Sequence, residues 1–248
     1  FISFSAYMNY TLNATDNMIG DFSYDITVSV YGDNEEVINK LDEVTSSSEV
    51  EEYTKYGLIS IPVMRSVKFT DTYLKYEKNR FDDMYDEEFA NRDYDYINII
   101  VLDDDSYNKY KEEIGLKEDK VILLNKFKGV TYNDNKRINY DANVIEDKKV
   151  TLAVCDFTEI EDSIEEVKDI KKYCKKNLNN IFITDKNYHL TDEIVHIGSY
   201  KLIMNKRIFD TVISSNIDYY NVNIVSDNYT NIDKTLSELE KTEGVYYS

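Results

Sequence analysis

The sequence predicts an α+β protein in which two similar strand–helix–strand units, one near each end of the chain, enclose a larger segment. The first unit is Tyr24–Tyr53 and the second is Tyr220–Tyr247. Alternating apolar residues give each strand one buried face, and the i, i+4, i+7 spacing gives each helix one apolar stripe. The apolar positions match in order, as Tyr24/Tyr220, Ile26/Val222, Val28/Ile224, Val37/Ile232, Leu41/Leu236, Val44/Leu239 and Val50/Val245.

Neither unit can bury its apolar face alone, so we expect the two units to pack on each other. Two such units form the split βαβ pattern of a ferredoxin-like, porter-type subdomain. This subdomain would take residues 21–62 and 218–248, and residues 63–217 would form a larger inserted mixed α/β subdomain. The strand Tyr56–Ile61 is expected to end at Pro62, where the chain would leave the first subdomain.

The inserted segment reads as a mixture of strands and helices without regular alternation. Its strongest strand is Ile97–Leu102, which is apolar on both faces and therefore expected at the centre of a sheet. The other predicted elements are, in order, a strand at Val67–Leu74, a weakly helical stretch at Arg80–Phe89, a helix at Ser106–Ile114 closed by Gly115, strands at Val121–Leu124, Val130–Tyr132, Arg137–Tyr140 and Val150–Val154, a helix at Ser163–Lys176, strands at Ile181–Thr184 and Tyr200–Met204, and a helix at Lys206–Ser214.

The first twenty residues read as a helix, with Met8, Leu12 and Ile19 on one stripe and Gly20 as its terminator. The opening Phe1–Met8 is uncharged and apolar. We therefore expect residues 1–20 to be a stalk that continues a membrane helix. Within the chain itself, no stretch reaches the 18 or so apolar residues of a membrane span, and no signal peptide is visible.

Composition narrows the classes of partner. The 248 residues carry a formal net charge of -19, so nucleic acid is excluded as a partner because phosphate binding needs an excess of clustered Lys and Arg. The acidity serves solubility or attracts cationic ligands. The only two cysteines, Cys155 and Cys174, are expected to be small core residues, with a disulfide between them as the alternative.

The aspartates Asp103-Asp104-Asp105 are the best enzymatic candidates, because they follow the central strand. They resemble the Asp-x-Asp motif of haloacid-dehalogenase-type phosphatases, in which one Asp attacks phosphorus and both hold magnesium. The strand Ile181–Thr184, ending in a hydroxyl residue, imitates that family's second motif. The expected glycine after the second Asp is absent, however, and three acids before Ser106 are more simply helix-capping residues.

The two histidines, His189 and His196, are the only candidates for a zinc site. On a helix they would share a face with Asp192 and Glu193. The surrounding segment lacks a helical stripe, so these histidines are expected to be surface residues. We therefore assign no catalytic, cofactor-binding or metal-binding residues and expect no cofactor.

The layout as a whole resembles the extracytoplasmic domain of MacB/FtsX-type ABC transporter permeases, in particular the Gram-positive members. A stalk, the half-subdomain Tyr24–Ile61, a long insert and the returning half Tyr219–Ser248 follow one another as in that family. The resemblance implies a non-enzymatic domain on the extracellular face of the bacterial cytoplasmic membrane. Its partners would be its own transmembrane helices, a cytoplasmic ATPase subunit, and a cationic peptide, lipid or lipoprotein substrate.

Two other readings stay open at this point. One is a cell-surface ligand-binding or adhesion module, and the other is a magnesium-dependent hydrolase that uses the aspartates. Acidic runs such as Asp82-Asp83 and Asp86-Glu87-Glu88 lie in the insert. They lead us to expect that the insert recruits cationic peptides.

Overall fold

The computed structural model describes residues 24–31, 35–81, 93–133, 136–156, 170–188, 200–213, 216–226, 230–239, 241 and 245–247. The predicted stalk, residues 1–20, lies outside this part of the chain.

The described residues form a mixed α/β structure with one large sheet. The strands are β1 (Ile26–Tyr31), β2 (Glu52–Met64), β3 (Tyr94–Leu102), β4 (Ile122–Leu124), β5 (Phe127–Asn133), β6 (Lys136–Ala142), β7 (Leu152–Val154), β8 (Lys176–Leu178), β9 (Phe182–Thr184), β10 (Lys201–Asn205), β11 (Tyr219–Val225) and β12 (Val245–Tyr247). The helices are α1 (Glu35–Thr45), α2 (Asp71–Phe81), α3 (Asp104–Glu113), α4 (Lys206–Val212) and α5 (Thr230–Leu239).

Ten of these strands join in a single sheet with the order β12-β1-β11-β2-β3-β10-β4-β9, and β7 and β8 branch from β2. The strands β5 and β6 form a separate hairpin. We call β12, β1, β11 and the first part of β2 the terminal half, because the two ends of the chain supply it. The insert half consists of the rest of β2 and of β3, β10, β4 and β9.

The terminal half is antiparallel throughout. Its connecting helices α1 and α5 cover one face, where the apolar positions of both chain ends meet in one cluster. The stripe of α1 is buried as its spacing predicts, at Val37, Leu41 and Val44. The full cluster consists of Ile26, Val28, Val30, Val37, Leu41, Val44, Val222, Ile224, Ile232 and Leu236.

The insert half is covered on both faces. On one face, α2, α4 and the hairpin of β5 and β6 enclose a large core in which Tyr73 and Tyr76 each pack on Phe127 at a ring-centroid distance of 5.1 Å. The hairpin lies so close that a Cβ on Gly129 would come within 2.4 Å of the Tyr76 ring. On the other face, Tyr107 and Tyr110 of α3 pack against the strands. The central strand β3 is therefore buried on both faces, as predicted.

The strand predicted at Tyr56–Ile61 is longer than expected at both ends. The structure runs β2 without interruption through Pro62, which was expected to end a strand. The carbonyl of Pro62 accepts a hydrogen bond from the Cys155 N–H at 3.0 Å, so the nitrogen of Pro62 also faces β7 and away from β3. The proline therefore removes no hydrogen bond from the ladder to β3, which explains why the strand continues.

The strand predicted at Val67–Leu74 is wrong. Only Phe69 makes an isolated bridge, to Ile145, and α2 begins at Asp71. The Thr70 hydroxyl accepts a hydrogen bond from the Tyr73 N–H at 3.2 Å, as an N-cap does, and Tyr73 and Tyr76 then share a helical face. A stripe with the helical period was thus present in the sequence.

The helix predicted at Ser163–Lys176 is wrong at its end, and residues 163–169 lie outside the described part. Ile170–Tyr173 forms a 3₁₀ turn, and Lys176–Leu178 pairs with β7 as the strand β8. The same segment is also joined covalently to the residue after β7, because Cys174 forms a disulfide with Cys155. This disulfide also corrects the expectation that both cysteines are simple core residues.

Truncating the shared apolar cluster tests the packing of the terminal half. Leu41→Ala and Leu236→Ala should each lower the free energy of unfolding by about 2–5 kcal/mol, because each leaves a cavity in a closed core. Denaturant unfolding followed by circular dichroism measures the change. Leu74→Ala is the control, because Leu74 is 38% exposed and its truncation should cost less than about 1 kcal/mol. Equal effects of all three substitutions would contradict the assignment of this core.

Candidate functional site

The strand β2 connects the two halves of the sheet. Its residues Glu52–Leu58 pair with β11, and its residues Tyr56–Met64 pair with β3. The three residues from Tyr56 to Leu58 therefore have strand neighbours on both sides. Because strand pairing leaves few backbone groups free there, the two halves share one continuous ladder of hydrogen bonds.

The sheet has two distinct ends along the direction of β2. Val28 of β1 pairs with Tyr247 of β12, so the chain enters the described sheet beside the place where it leaves it. We call this the entry end. From Leu58, which is level with the last residue of β1, β2 continues for six more residues to Met64, or roughly 20 Å. The far end of β2 therefore lies well beyond the terminal half.

The shared segment is closely packed. A Cβ on Gly57 would come within 2.7 Å of the Ile217 side chain, so a glycine lets the segment before β11 approach β2. Nearby, the Thr27 hydroxyl donates to the Asn223 amide oxygen at 2.6 Å, and the Asn223 amide donates to the Tyr56 hydroxyl at 3.3 Å. Asn223 is fully buried, and this chain of hydrogen bonds ties β1, β11 and β2 together.

The far end of β2 is tied to its neighbours by charge. The Arg65 guanidinium donates to both carboxylate oxygens of Asp95, at distances between 2.5 and 3.1 Å, and the Asp95 side chain is 1% exposed. The guanidinium also lies 5.8 Å from the Phe69 ring centroid. Burial and the nearby Asp95 charge raise the pKa of Tyr200 above its ordinary value, so this tyrosine stays neutral. Removing either Arg65 or Asp95 would leave the charge of the other side chain buried and uncompensated.

A covalent bond lies beside the same end. The strand β7 pairs with β2 at Val63 and Val154, on the side of β2 that β11 occupies closer to the entry end. The next residue, Cys155, donates its N–H to Pro62 and carries the disulfide to Cys174. The segments on either side of this disulfide are therefore joined to β2.

The aspartates form a helix cap. The Asp103 carboxylate accepts a hydrogen bond from the Ser106 N–H at 2.7 Å, and Asp104 and Asp105 occupy the first turn of α3. The simpler reading of these acids as capping residues thus describes Asp103. Gly115, with φ of 71°, follows the end of the helix as predicted.

The two phosphatase-like motifs do not meet. The strand β9, which ends at Thr184, is parallel to β4, whereas β4 is antiparallel to β10 and β10 is parallel to β3. Thr184 is therefore level with Asn98 in the middle of β3, and Asp103 follows the end of β3. The strand spacings put these residues roughly 20 Å apart. A phosphatase needs both motifs at the carboxyl edge of one parallel sheet, and this sheet does not provide that arrangement.

The other candidate features give no ligand site in the part of the chain that the structure describes. No group of three or more potential metal ligands occurs there, and His189, Asp192, Glu193 and His196 lie outside it. A depression beside Leu124 and Phe127 holds about 10 Å³, which is room for one water molecule. No helix among the described residues is long and apolar enough to cross a bilayer.

Among the solved structures that match, two cover nearly the whole chain. The periplasmic region of MacB from Actinobacillus actinomycetemcomitans matches with 10% identity and a TM-score of 0.32, over 93% of this chain and 91% of that chain. The extracellular domain of the noncanonic ABC-type transporter YknZ from Gram-positive bacteria matches with 8% identity and a TM-score of 0.32, over 90% and 100%. No family model and no curated protein sequence matches the chain.

The resemblance predicted from the sequence layout is thus the one that the comparison of structures finds. One matched structure is a periplasmic region, and the other is the extracellular domain of an ABC-type transporter.

Substitutions at Asp103 separate a cap from a catalytic acid. Asp103→Ala should lower the free energy of unfolding by about 1 kcal/mol, whereas Asp103→Asn should change it little, because asparagine caps helices about as well. Thermal or denaturant unfolding measures both. With magnesium and a general phosphate ester, the unmodified chain should show no turnover. Turnover that disappears in Asp103→Asn would contradict the capping role.

Proposed function

We propose that this chain is the non-enzymatic extracellular domain of an ABC transporter permease and that it relays ATP-driven motion outward from the membrane. The observation that carries the proposal is the continuity of β2. One strand passes from the half of the sheet where the chain enters and leaves to the far end of the insert. A movement applied at the entry end is then transmitted through a paired strand, not through a flexible linker.

The same sheet supports a division into two subdomains. We propose that residues 21–62 and 218–248 form a ferredoxin-like split βαβ subdomain next to the membrane and that residues 63–217 form the insert. The antiparallel order β12-β1-β11-β2, with α1 and α5 connecting the strands, supports this division. The single cluster that both units share supports it further.

The entry end would face the membrane. Because β1 begins beside the end of β12, both chain ends lead away from the sheet on the same side, as two connections to neighbouring membrane helices require. The insert half would point outward and swing with the terminal half as one body. The buried Arg65–Asp95 pair and the disulfide support rigidity at the far end of β2.

The disulfide also supports an extracellular location, since such bonds persist in oxidising compartments and are rare in the cytosol. At the outer face of the bacterial cytoplasmic membrane, the partners of the domain would be its own transmembrane helices and, through them, a cytoplasmic ATPase subunit. The capping role of Asp103 supports a domain that has no chemistry of its own.

The charge of the chain is uneven, which bears on the substrate. The 73 residues of the proposed terminal subdomain contain 4 Lys and Arg and 16 Asp and Glu, a net charge of -12. The insert contains 25 Lys and Arg and 31 Asp and Glu, a net charge of only -6. A cationic peptide, or a lipid or lipoprotein with a basic head, would therefore be drawn to the terminal subdomain more than to the insert, where the sequence first suggested it.

If the domain moves as one rigid lever, the distance between its two halves must not change. Both cysteines of the chain are in a disulfide, so introduced cysteines can be labelled selectively. Spin labels at Glu43→Cys on α1 and Lys109→Cys on α3 report the distance between the two halves in the full permease with its ATPase. We expect one narrow distance distribution that is the same with and without ATP, while the distance from either label to a membrane helix changes.

The matched control keeps both labels in the terminal half, at Glu43→Cys and Lys234→Cys. This pair should also give one narrow distance in both states. A distance between Glu43 and Lys109 that broadens or shifts with ATP, while the control pair stays constant, would overturn the rigid lever. A domain whose labels never move relative to the membrane helices would overturn the relay itself.

A second prediction concerns attraction of cationic peptides. A cationic amphipathic peptide should bind at low salt and lose affinity at moderate salt, because screening shortens to about 8 Å at physiological ionic strength. The exposed residues Glu43, Glu51 and Glu52 belong to the terminal half, so their replacement by Gln should weaken binding. The matched control replaces the exposed insert residues Glu112, Glu113 and Glu118 by Gln and should weaken it less. Binding that is indifferent to salt, or equal losses in both variants, would rule out this attraction.

A further inference from the structure

Four exposed lysines lie within six residues beside the disulfide: Lys171, Lys172, Lys175 and Lys176. We call them the lysine cluster. The eleven residues from Ile170 to Asn180 contain no acidic residue, although the chain as a whole carries a net charge of -19. Such a concentration of one sign, against the sign of the rest of the chain, is the strongest local departure from its charge pattern.

The backbone of the lysine cluster is held in place by three kinds of bond. Cys174, in its middle, is covalently joined to Cys155. The Asp156 N–H donates to the Tyr173 carbonyl at 3.0 Å, and Lys176 pairs with Val154 in the sheet. The four ammonium groups are therefore carried on a fixed frame that is joined to the far end of β2.

Protection of a sheet edge accounts for only part of the cluster. The strand β8 pairs with β7 alone among the described strands, and lysines on such an edge discourage pairing with another chain. Only Lys176 belongs to β8, however, and the other three lysines lie in the turn before it. A role in binding accounts for all four.

The residue types point to a flexible polyanion and away from a folded protein partner. Protein interfaces are depleted in lysine and are anchored by aromatic residues and arginine. The cluster has no arginine, and the ring of its one aromatic residue, Tyr173, already has the Lys172 ammonium 4.6 Å from its centroid. Lysine ammonium groups act as mobile point charges that suit phosphate oxygens without demanding one geometry.

We propose that the lysine cluster is a binding site for linear polyphosphate, a polyanion in which phosphate groups are joined by anhydride bonds. Each internal phosphate of such a chain would offer two non-bridging oxygens that share a negative charge to the four ammonium groups. The site lies beside the end of β2 that is opposite to the entry end. That the polymer would be held on the outward side of the domain rests on the proposed function, whereas the binding itself does not.

The test uses the isolated 248-residue chain and long-chain inorganic polyphosphate as the probe, with fluorescence anisotropy as the measurement. Four neutralised charges on a flexible polyanion give a slope near -3 in a plot of log affinity against log salt, so affinity should fall roughly 50-fold between 50 and 200 mM salt. No binding at 50 mM salt would overturn the proposal, and this result would leave the distance test of the lever unaffected.

Two variants with the same change in net charge locate the site. Replacing Lys171, Lys172, Lys175 and Lys176 together by Gln should weaken binding at least 10-fold. The control replaces four exposed lysines elsewhere by Gln and should stay within 3-fold of the unmodified chain; these are Lys75, Lys78, Lys109 and Lys117. Equal losses in the two variants would overturn the site.

Two further probes distinguish the class of ligand. Polyglutamate with a similar number of charges and vesicles containing an anionic phospholipid should each bind at least 5-fold more weakly than polyphosphate. Equal or tighter binding of either probe would overturn the polyphosphate assignment. Cys155→Ser with Cys174→Ser should weaken polyphosphate binding several-fold because the lysines lose their frame, and unchanged affinity would overturn the role given to the disulfide.

Discussion

The structure depends on strand pairing along both edges of β2. A strand with neighbours on both sides cannot change direction or register without breaking several backbone hydrogen bonds at once. Each bond contributes only about 0.5–1.5 kcal/mol net, but an unpaired group left buried costs more. The residues from Tyr56 to Leu58 therefore act as a stiff joint, and the buried side chains of Ile59, Ile61 and Val63 continue the joint into the core of the insert.

Tyrosine supplies much of the bulk of the insert core in a chain that has no tryptophan. This choice requires partners for the buried hydroxyl groups. The Tyr107 hydroxyl donates to the Lys120 carbonyl at 2.6 Å and accepts from the Lys120 N–H at 2.9 Å, and the Tyr110 hydroxyl donates to the Lys186 carbonyl at 2.6 Å. Burial raises the pKa of both tyrosines, which keeps them neutral. These hydrogen bonds join α3 to the loops at Lys120 and Lys186. Hydrophobic periodicity in the sequence does not predict where such loops lie.

Charge divides the molecule differently from its sheet. The terminal half and the insert are one continuous sheet, yet most of the net negative charge belongs to the chain ends, because the lysines belong almost entirely to the insert. Charges separated by more than a Debye length interact weakly in salt, so opposite ends of the sheet present independent electrostatic surfaces. A rigid body with two such surfaces can hold one kind of partner near the entry end and another at the far end.

The sequence by itself determined the elements whose evidence is local. The stripe of Val37, Leu41 and Val44, the two-sided strand β3 and the cap at Asp103 all follow from side-chain periods and helix-end chemistry within about ten residues. The matched apolar positions of the two chain ends also identified the residues that share one core. The candidate zinc ligands His189 and His196 lie outside the described residues, so their expected position on the surface stays a prediction.

Only the tertiary structure decided the features that depend on distant neighbours. Pro62 continues a strand because its nitrogen faces β7, more than ninety residues away, and Lys176–Leu178 pairs with β7 as a strand where a helix was expected. Strand direction likewise separates Asp103 from Thr184, although each follows a strand as a phosphatase motif would. A periodic pattern specifies which face of an element is buried, but not which element covers it or in which direction that element runs. The physical reason is that side-chain period is a property of a few neighbouring residues, whereas pairing and direction are settled by the packing of the whole sheet.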